Sequence, residues 1–243
     1  MAGGAGRERQ VEWLIGGARD LGVELGEEQA EALLRLTELL VEGTRRASLT
    51  AITDPGEILV KHHLDSLSVV RWIGAQEAGS WADVGSGAGF PGLPLAIARP
   101  RLQVVLIESV LRKVEFLEQA VRALGLGNVQ VVRERAEVLA REESWRESLD
   151  GALARALGSL AVSVELCAPL VRVGGRVLIM KGPAVAEEWE AGQQVAGAVG
   201  LGRLRQEALT LPGGDRRVLV MAEKVRRTPG RFPRRPGRWG RPA

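Results

Sequence analysis

One glycine-rich stretch decides the fold: Asp83-Val84-Gly85-Ser86-Gly87-Ala88-Gly89-Phe90-Pro91-Gly92. It follows a strand-like apolar segment, Trp81–Val84, and precedes a helix-like segment, Leu93–Ala98. Glycines are needed at such a turn because the turn is tight and a ligand packs against bare backbone. The stretch therefore predicts the ligand-binding loop of an open α/β sheet.

The spacing of these glycines separates two classes of cofactor. A dinucleotide-binding fingerprint has a third glycine five residues after the first, and that position is Phe90. The glycines lie instead at Gly85, Gly87 and Gly89, after Asp83. This form resembles the first motif of class I methyltransferases, in which the loop lies under the methionine and ribose portions of S-adenosylmethionine. Asp83 is a candidate for the ammonium group of that cofactor, or for orienting the loop.

A carboxylate follows at the distance that a nucleoside cofactor requires. Glu108 ends the second predicted strand, Gln103–Glu108, 23 residues after Gly85. A carboxylate there can accept hydrogen bonds from both ribose hydroxyls. NAD and S-adenosylmethionine both carry these hydroxyls, so Glu108 supports either cofactor. A tight turn with a helix-capping acid remains the structural alternative.

The rest of the chain predicts the architecture. Strand and helix patterns alternate after Trp81, which favours a parallel sheet with helices on both faces. The last two predicted strands, Leu204–Leu211 and Val218–Ala222, flank the turn Pro212–Asp215 and indicate an antiparallel hairpin. We therefore predict an α/β, Rossmann-like class I methyltransferase fold with a mostly parallel seven-stranded sheet and one antiparallel strand. Its parts are a helical cap (1–78), a core (79–225) and a tail (226–243).

Polar residues outside the loop give further site candidates. Asp54-Pro55-Gly56-Glu57 predicts a helix start, and the helix is expected to run to about Ile73. His62 and Asp65 share one face of it, as a wall of a substrate pocket or as a helix-packing network. Arg155 and Lys181 follow the fourth and fifth strands, at the sheet edge where open α/β folds bind ligands. Arg155 is an active-site candidate, and Lys181 is a candidate for an RNA phosphate.

Composition limits the function classes. The 243 residues are 45% apolar, with one cysteine, Cys167, and two histidines, so neither an internal disulfide nor a zinc site is expected. With no secretory or membrane-spanning pattern, we expect a cytoplasmic protein, and we expect a monomer. The net charge of +3 hides an asymmetry, because residues 224–243 contain eight basic residues and no acid.

The tail is rich in arginine, proline and glycine. This composition predicts a disordered segment that attracts a polyanion such as RNA, or a solubilising terminus. The candidate RNA-binding residues of the tail are Arg231, Arg234, Arg235 and Arg238.

Several segments resemble the RsmG family, whose members methylate N7 of a guanine in small-subunit ribosomal RNA. The resemblance covers residues 25–224 and is carried by Leu59–Ser66, Asp83–Pro94, Glu108–Leu117, Ala136-Glu137, Ala154–Ala156 and Met180–Gly182. One departure is Ser48, where the family usually has asparagine.

The resemblance implies S-adenosylmethionine as cofactor, 16S ribosomal RNA of the small subunit as partner, and guanine 527 as target. The implied cofactor contacts are Gly85, Phe90, Glu108, Ser109, Val110, Ala136, Glu137 and Arg155. The guanine N7 carries a lone pair and no proton, so His62, Asp65 and Arg155 are expected to position the substrate and not to act as a base.

Three alternatives remain open at this point. The first is a class I methyltransferase acting on a small molecule or a protein. The second is a non-catalytic RNA-binding or ribosome-assembly protein with the same fold. The third is an NAD-dependent enzyme, which Phe90 and the hairpin disfavour.

Overall fold

The computed structural model describes residues 2–73 and 78–240. In these residues, seven strands form one sheet in the order β3-β2-β1-β4-β5-β7-β6. They are β1 (Gly79–Val84), β2 (Leu102–Glu108), β3 (Val129–Arg133), β4 (Leu149–Arg155), β5 (Val171–Lys181), β6 (Arg205–Thr210) and β7 (Arg216–Glu223). Strands β1 to β5 pair in parallel, and β7 runs antiparallel to both β5 and β6. The predicted sheet with one reversed strand is confirmed.

Helices cover both faces of this sheet. The helices of the N-terminal part are α1 (Ala2–Asp20), α2 (Glu27–Ala47), α3 (Pro55–Ile58) and α4 (Asp65–Leu67). Those of the core are α5 (Gly92–Ala98), α6 (Leu111–Leu124), α7 (Ala136–Leu139), α8 (Leu160–Cys167) and α9 (Trp189–Val199). Short 3-10 turns lie at Val70–Trp72, Ala168–Leu170 and Pro183–Glu188.

Two apolar cores result, one on each face. Because side chains alternate along a strand, Leu106 of β2 lies in the core with α1, α2, α5 and α6. Its neighbour Ile107 lies in the core with α7, α8 and α9. The helical cap therefore shares one core with the sheet.

The helix predicted at Asp54 begins as expected and then changes geometry. The Asp54 carboxylate accepts a hydrogen bond from the N–H of Glu57 at 2.8 Å, and Pro55 occupies the first turn. Residues Leu59–Leu64 form a π-helical turn, in which the N–H of Asp65 bonds to Val60 O. The predicted end of this helix, at about Ile73, is wrong, because α4 ends at Leu67. π-Helical turns are frequent at functional sites.

Ser48 has a conformational role. It ends α2 in the left-handed conformation, with φ 45° and ψ 55°, and its N–H bonds to Thr44 O. Asparagine and glycine adopt this conformation more readily than serine does. Ser48 therefore has a turn conformation that the asparagine expected from the resemblance would adopt more readily.

The tail is the main correction to the sequence analysis. Phe232 is only 1% exposed and lies in the core with α8 and α9. Arg234 forms two side-chain hydrogen bonds, of 2.9 and 2.5 Å, to the fully buried carboxylate of Glu165. Gly240 N–H bonds to the same carboxylate at 3.0 Å. The predicted disorder is therefore wrong for residues 226–240, and residues 241–243 lie outside the described residues.

A buried lysine anchors the start of the tail. The ammonium of Lys224 is fully buried and donates to Ala168 O and to the hydroxyl of Thr228, both at 2.6 Å. It also pairs with Glu147 at 3.2 Å. The composition of the tail did not predict this packing. Its average is polar and rich in proline, but one aromatic ring and two internal ion pairs are enough to hold it on the body.

We predict that Phe232→Ala lowers the free energy of unfolding by about 3–5 kcal/mol, because the variant leaves a cavity in a packed core. The control is Arg235→Ala, at an exposed residue near Phe232 in the chain, which should change that free energy by less than about 0.5 kcal/mol. Urea unfolding followed by circular dichroism gives both values. If Phe232→Ala matched the wild type, the tail would not be packed on the body.

Candidate functional site

The predicted site residues meet at the carboxyl edge of the parallel strands. The glycine loop follows β1, and Glu108, Arg155 and Lys181 end β2, β4 and β5. Ligands bind at this edge in open α/β sheets. The sequence pattern therefore predicted that these candidates share one edge of the sheet, as they do in the structure.

Glu108 holds the glycine loop. The side chain is 6% exposed. One carboxylate oxygen accepts from the N–H of Gly87 at 3.0 Å, and the other accepts from the N–H of Val110 at 2.8 Å. Each oxygen keeps a second lone pair. Glu108 is therefore fixed against the loop and still able to accept from a ligand hydroxyl.

Asp83 lies beneath the loop with one oxygen unused. Its Oδ2 accepts from the N–H of Gly92 at 2.9 Å, whereas its Oδ1 is buried and has no hydrogen-bond partner. Burial raises the pKa of Asp83 to about 7. A buried carboxylate oxygen without a partner costs free energy, and a bound cationic group would satisfy it.

These features fit an S-adenosylmethionine molecule. Gly87 has a φ of +59°, and a Cβ built on it would have only Gly85 O nearby, at 3.9 Å, so the loop backbone is open there. Val110 and Val138 are 39% and 42% exposed, and they follow β2 and β3. The fit thus combines an open loop backbone, an unpartnered carboxylate oxygen, a ribose acceptor and apolar side chains.

The remaining predicted cofactor contacts lie nearby in the fold. Ser109 is exposed directly after β2. Ala136 and Glu137 begin α7, three residues beyond the end of β3, and both are buried. Phe90 is different, because its ring is 4% exposed and stacks on His62 with centroids 4.5 Å apart. The structure leaves only the Phe90 backbone for a cofactor contact.

Arg155 joins the sheet edge to the π-helical turn. Its guanidinium donates to Lys61 O at 3.0 Å, to the Asp65 carboxylate at 2.9 Å and to Nδ1 of His62 at 2.8 Å. It also lies 5.5 Å from the centre of the Phe90 ring. One side chain of β4 therefore fixes the helical cap and the end of the glycine loop together.

These bonds determine the protonation of His62. Arginine only donates, so Nδ1 of His62 is the unprotonated acceptor. The proton of the neutral ring is then on Nε2, which lies 3.0 Å from the hydroxyl of Thr50. Burial, together with the positive charge of Arg155, lowers the pKa of His62 to about 4. The imidazole is neutral at pH 7, and its lone pair is occupied.

A small pocket opens beside Arg155. It has a volume of about 250 Å³, and its lining includes Asp65, Arg155, Met180 and Arg217. Oδ1 of Asp65 is buried and has no hydrogen-bond partner, although the Nε of Arg217 lies 3.4 Å away. Burial raises the pKa of Asp65 against the opposing attraction of the two guanidinium groups.

Sequence reasoning missed two residues of this site. Arg217 comes from β7, 152 residues after Asp65 in the chain, and no local pattern predicts that contact. Thr50 belongs to the segment Ser48-Leu49-Thr50, in which the sequence analysis considered only Ser48. Its hydrogen bond to His62 gives that segment a role in fixing the imidazole.

The predicted RNA contacts have different outcomes. Lys181 pairs with Glu188 at 2.7 Å and donates to Gly158 O at 2.7 Å, with a side chain 12% exposed. Lys181 also lines the pocket beside Arg155, and its phosphate contact stays a prediction. Arg234 forms an ion pair with Glu165. The other three tail arginines, Arg231, Arg235 and Arg238, are exposed, and their RNA contacts stay predictions.

Within residues 2–73 and 78–240, no helix is long and apolar enough to cross a bilayer. The same part of the chain contains no group of three or more histidine, cysteine, aspartate or glutamate side chains that could hold a metal ion. Cys167 is buried, and burial raises the pKa of its thiol.

Known proteins resemble this chain in sequence and in fold. A Ribosomal RNA small subunit methyltransferase G from Alkaliphilus metalliredigens is 41% identical over 91% of this chain and 93% of its own length. Another, from Deinococcus radiodurans, is 42% identical over 96% of this chain and 90% of its own. The crystal structure of a SAM dependent methyltransferase from Aquifex aeolicus has a TM-score of 0.52 and 22% identity, over 73% of this chain and 97% of that one. This last likeness supports the fold alone.

The family model described as rRNA small subunit methyltransferase G matches residues 29–211. This range includes the glycine loop, Glu108 and Arg155, which form the site described above. The resemblance inferred from the sequence is confirmed, and the chain belongs to the rRNA small subunit methyltransferase G family.

Proposed function

We propose that the chain transfers the methyl group of S-adenosylmethionine to N7 of a guanine in 16S ribosomal RNA, at guanine 527. Family membership gives the class of enzyme: it is a methyltransferase that uses S-adenosylmethionine and acts on RNA of the small ribosomal subunit. The N7 atom and guanine 527 are what the family resemblance implies, and the chemistry of the site supports the choice of N7.

The observation that carries the N7 assignment is the state of His62. Its lone pair accepts from Arg155, and its ring stays neutral to about pH 4. Methylation of an exocyclic amine or a hydroxyl must remove a proton, and a free base next to the pocket would help. Guanine N7 carries no proton. The occupied imidazole therefore matches a target that needs positioning only.

S-adenosylmethionine, when bound, supplies an electrophilic methyl group: the N7 lone pair forms the new N–C bond as the S–C bond breaks, leaving S-adenosylhomocysteine. Residues of this chain would hold the cofactor. Glu108 would accept from the ribose hydroxyls, Asp83 would face the ammonium, and Gly87 would leave the loop backbone accessible. The segments Ser109-Val110 and Ala136-Glu137 flank the adenine.

The target base is proposed to lie in the pocket beside Arg155. Asp65 offers the acceptor Oδ1 there, which suits the N1–H and N2–H donors of a guanine. Arg155 and His62 act as positioning residues, since their own hydrogen bonds fix the wall of the pocket. Holding a base at the correct distance is a large source of rate for a displacement reaction.

We expect cofactor affinity to depend on pH through Asp83. The pKa of Asp83 is raised to about 7 without ligand, and a bound ammonium would favour the ionised form and lower it. Affinity should then be highest above about pH 7 and fall as pH decreases, by up to about tenfold per unit. Calorimetric titration with S-adenosylmethionine between about pH 6 and pH 8 measures this. Asp83→Asn should bind more weakly and without this slope, whereas a flat wild-type profile would exclude the role.

The N7 target is tested with RNA that carries 7-deazaguanine at the target position. This base keeps the Watson–Crick edge and lacks N7, so we expect unchanged binding and no methyl transfer. Unmodified RNA of the same sequence is the matched control, and nucleotide mapping of its product locates the methyl group. Transfer to the 7-deazaguanine RNA at the wild-type rate would overturn the N7 assignment.

A further inference from the structure

A second groove lies along the sheet, apart from the pocket beside Arg155. It has a volume of about 450 Å³. Among the described residues that line it, four are arginines and one is acidic: Arg71, Arg176, Arg203, Arg205 and Glu223. Residues 1–223 contain 25 basic and 30 acidic residues. The cluster is therefore opposite in charge to the body that carries it.

The lining of this arginine groove also includes apolar and aromatic surface. Leu178 of β5 and Met221 of β7 are paired in register and both line it. Trp72 lies beside them, half-buried, and its indole Nε1 is buried without a hydrogen-bond partner. The guanidinium of Arg71 is 5.2 Å from the centre of the Trp72 ring. Cations next to a half-buried aromatic ring suit the phosphates and bases of a nucleic acid.

The groove and the site share strand β7. Arg217 lines the pocket beside Arg155, and Met221 lines the arginine groove. Residues four apart on a strand lie on the same face, about 13 Å from each other. The arginine groove therefore lies within reach of the nucleotides that follow a target base held in the pocket.

We propose that the arginine groove binds the phosphodiester backbone of the substrate RNA beside the target nucleotide. This inference rests on the proposed function, because it assigns a docking surface to the same substrate. Arg71 pairs with Glu207, and Arg176 donates to Trp72 O at 3.3 Å, so these two hold the wall of the groove. Exposed Arg203 and Arg205 supply the phosphate contacts.

The test is RNA binding by the double variant Arg203→Ala/Arg205→Ala. Its matched control is Arg122→Ala/Arg133→Ala, which removes two exposed arginines on α6 and on β3, the opposite edge strand. Affinity for a small-subunit RNA fragment is measured by filter binding at several salt concentrations, without cofactor. Cofactor affinity is measured separately by calorimetry.

We expect the groove variant to bind RNA about five- to tenfold more weakly at low salt. Its salt dependence should flatten by up to about 0.7 in slope for each lost contact. The control variant should match the wild type, and cofactor affinity should be equal in all three proteins. An unchanged RNA affinity with an unchanged salt dependence would overturn the proposal. The groove would then suit an acidic protein partner instead. Because binding is measured without methyl transfer, a failure of the proposed methylation would appear separately, as an inactive wild type.

Discussion

The site depends on the hydrogen bonds of one guanidinium group. Arg155 leaves the end of β4 and bonds to Lys61 O, His62 and Asp65, all in or next to the π-helical turn of the cap. The Arg155 side chain is 18% exposed, so these charge-assisted bonds are only partly weakened by water. Apolar packing also holds the cap to the sheet, but it does not fix the direction of a polar side chain, and these bonds do.

This arrangement favours catalysis by positioning. A base would need an accessible lone pair, and that of His62 faces a permanent cation. The Phe90 ring stacks on the same imidazole, which also connects the glycine loop to the cap. The groups proposed to hold the cofactor and the pocket proposed for the base are thus coupled through a few rigid contacts. A change in Arg155 should disturb both without removing any reacting atom.

Much of this site could be predicted from sequence, because glycine spacing and strand–helix alternation are local signals. They located the loop, Glu108 and Arg155 at one edge of the sheet. Contacts between distant segments gave no such signal, and Arg217 reaches Asp65 only through the hairpin. The tail was misjudged for a related reason, since its composition is polar while Phe232 and Arg234 have partners buried in the body.

The central claim is that the site positions its substrate and supplies no general base. The most direct test is the single-turnover rate of methyl transfer against pH, with cofactor and RNA both saturating. Because the pKa of His62 is lowered to about 4, the account predicts a constant rate from about pH 5.5 to pH 8. A rate that falls about tenfold per unit below about pH 6.5, and that loses this dependence in His62→Gln, would contradict it.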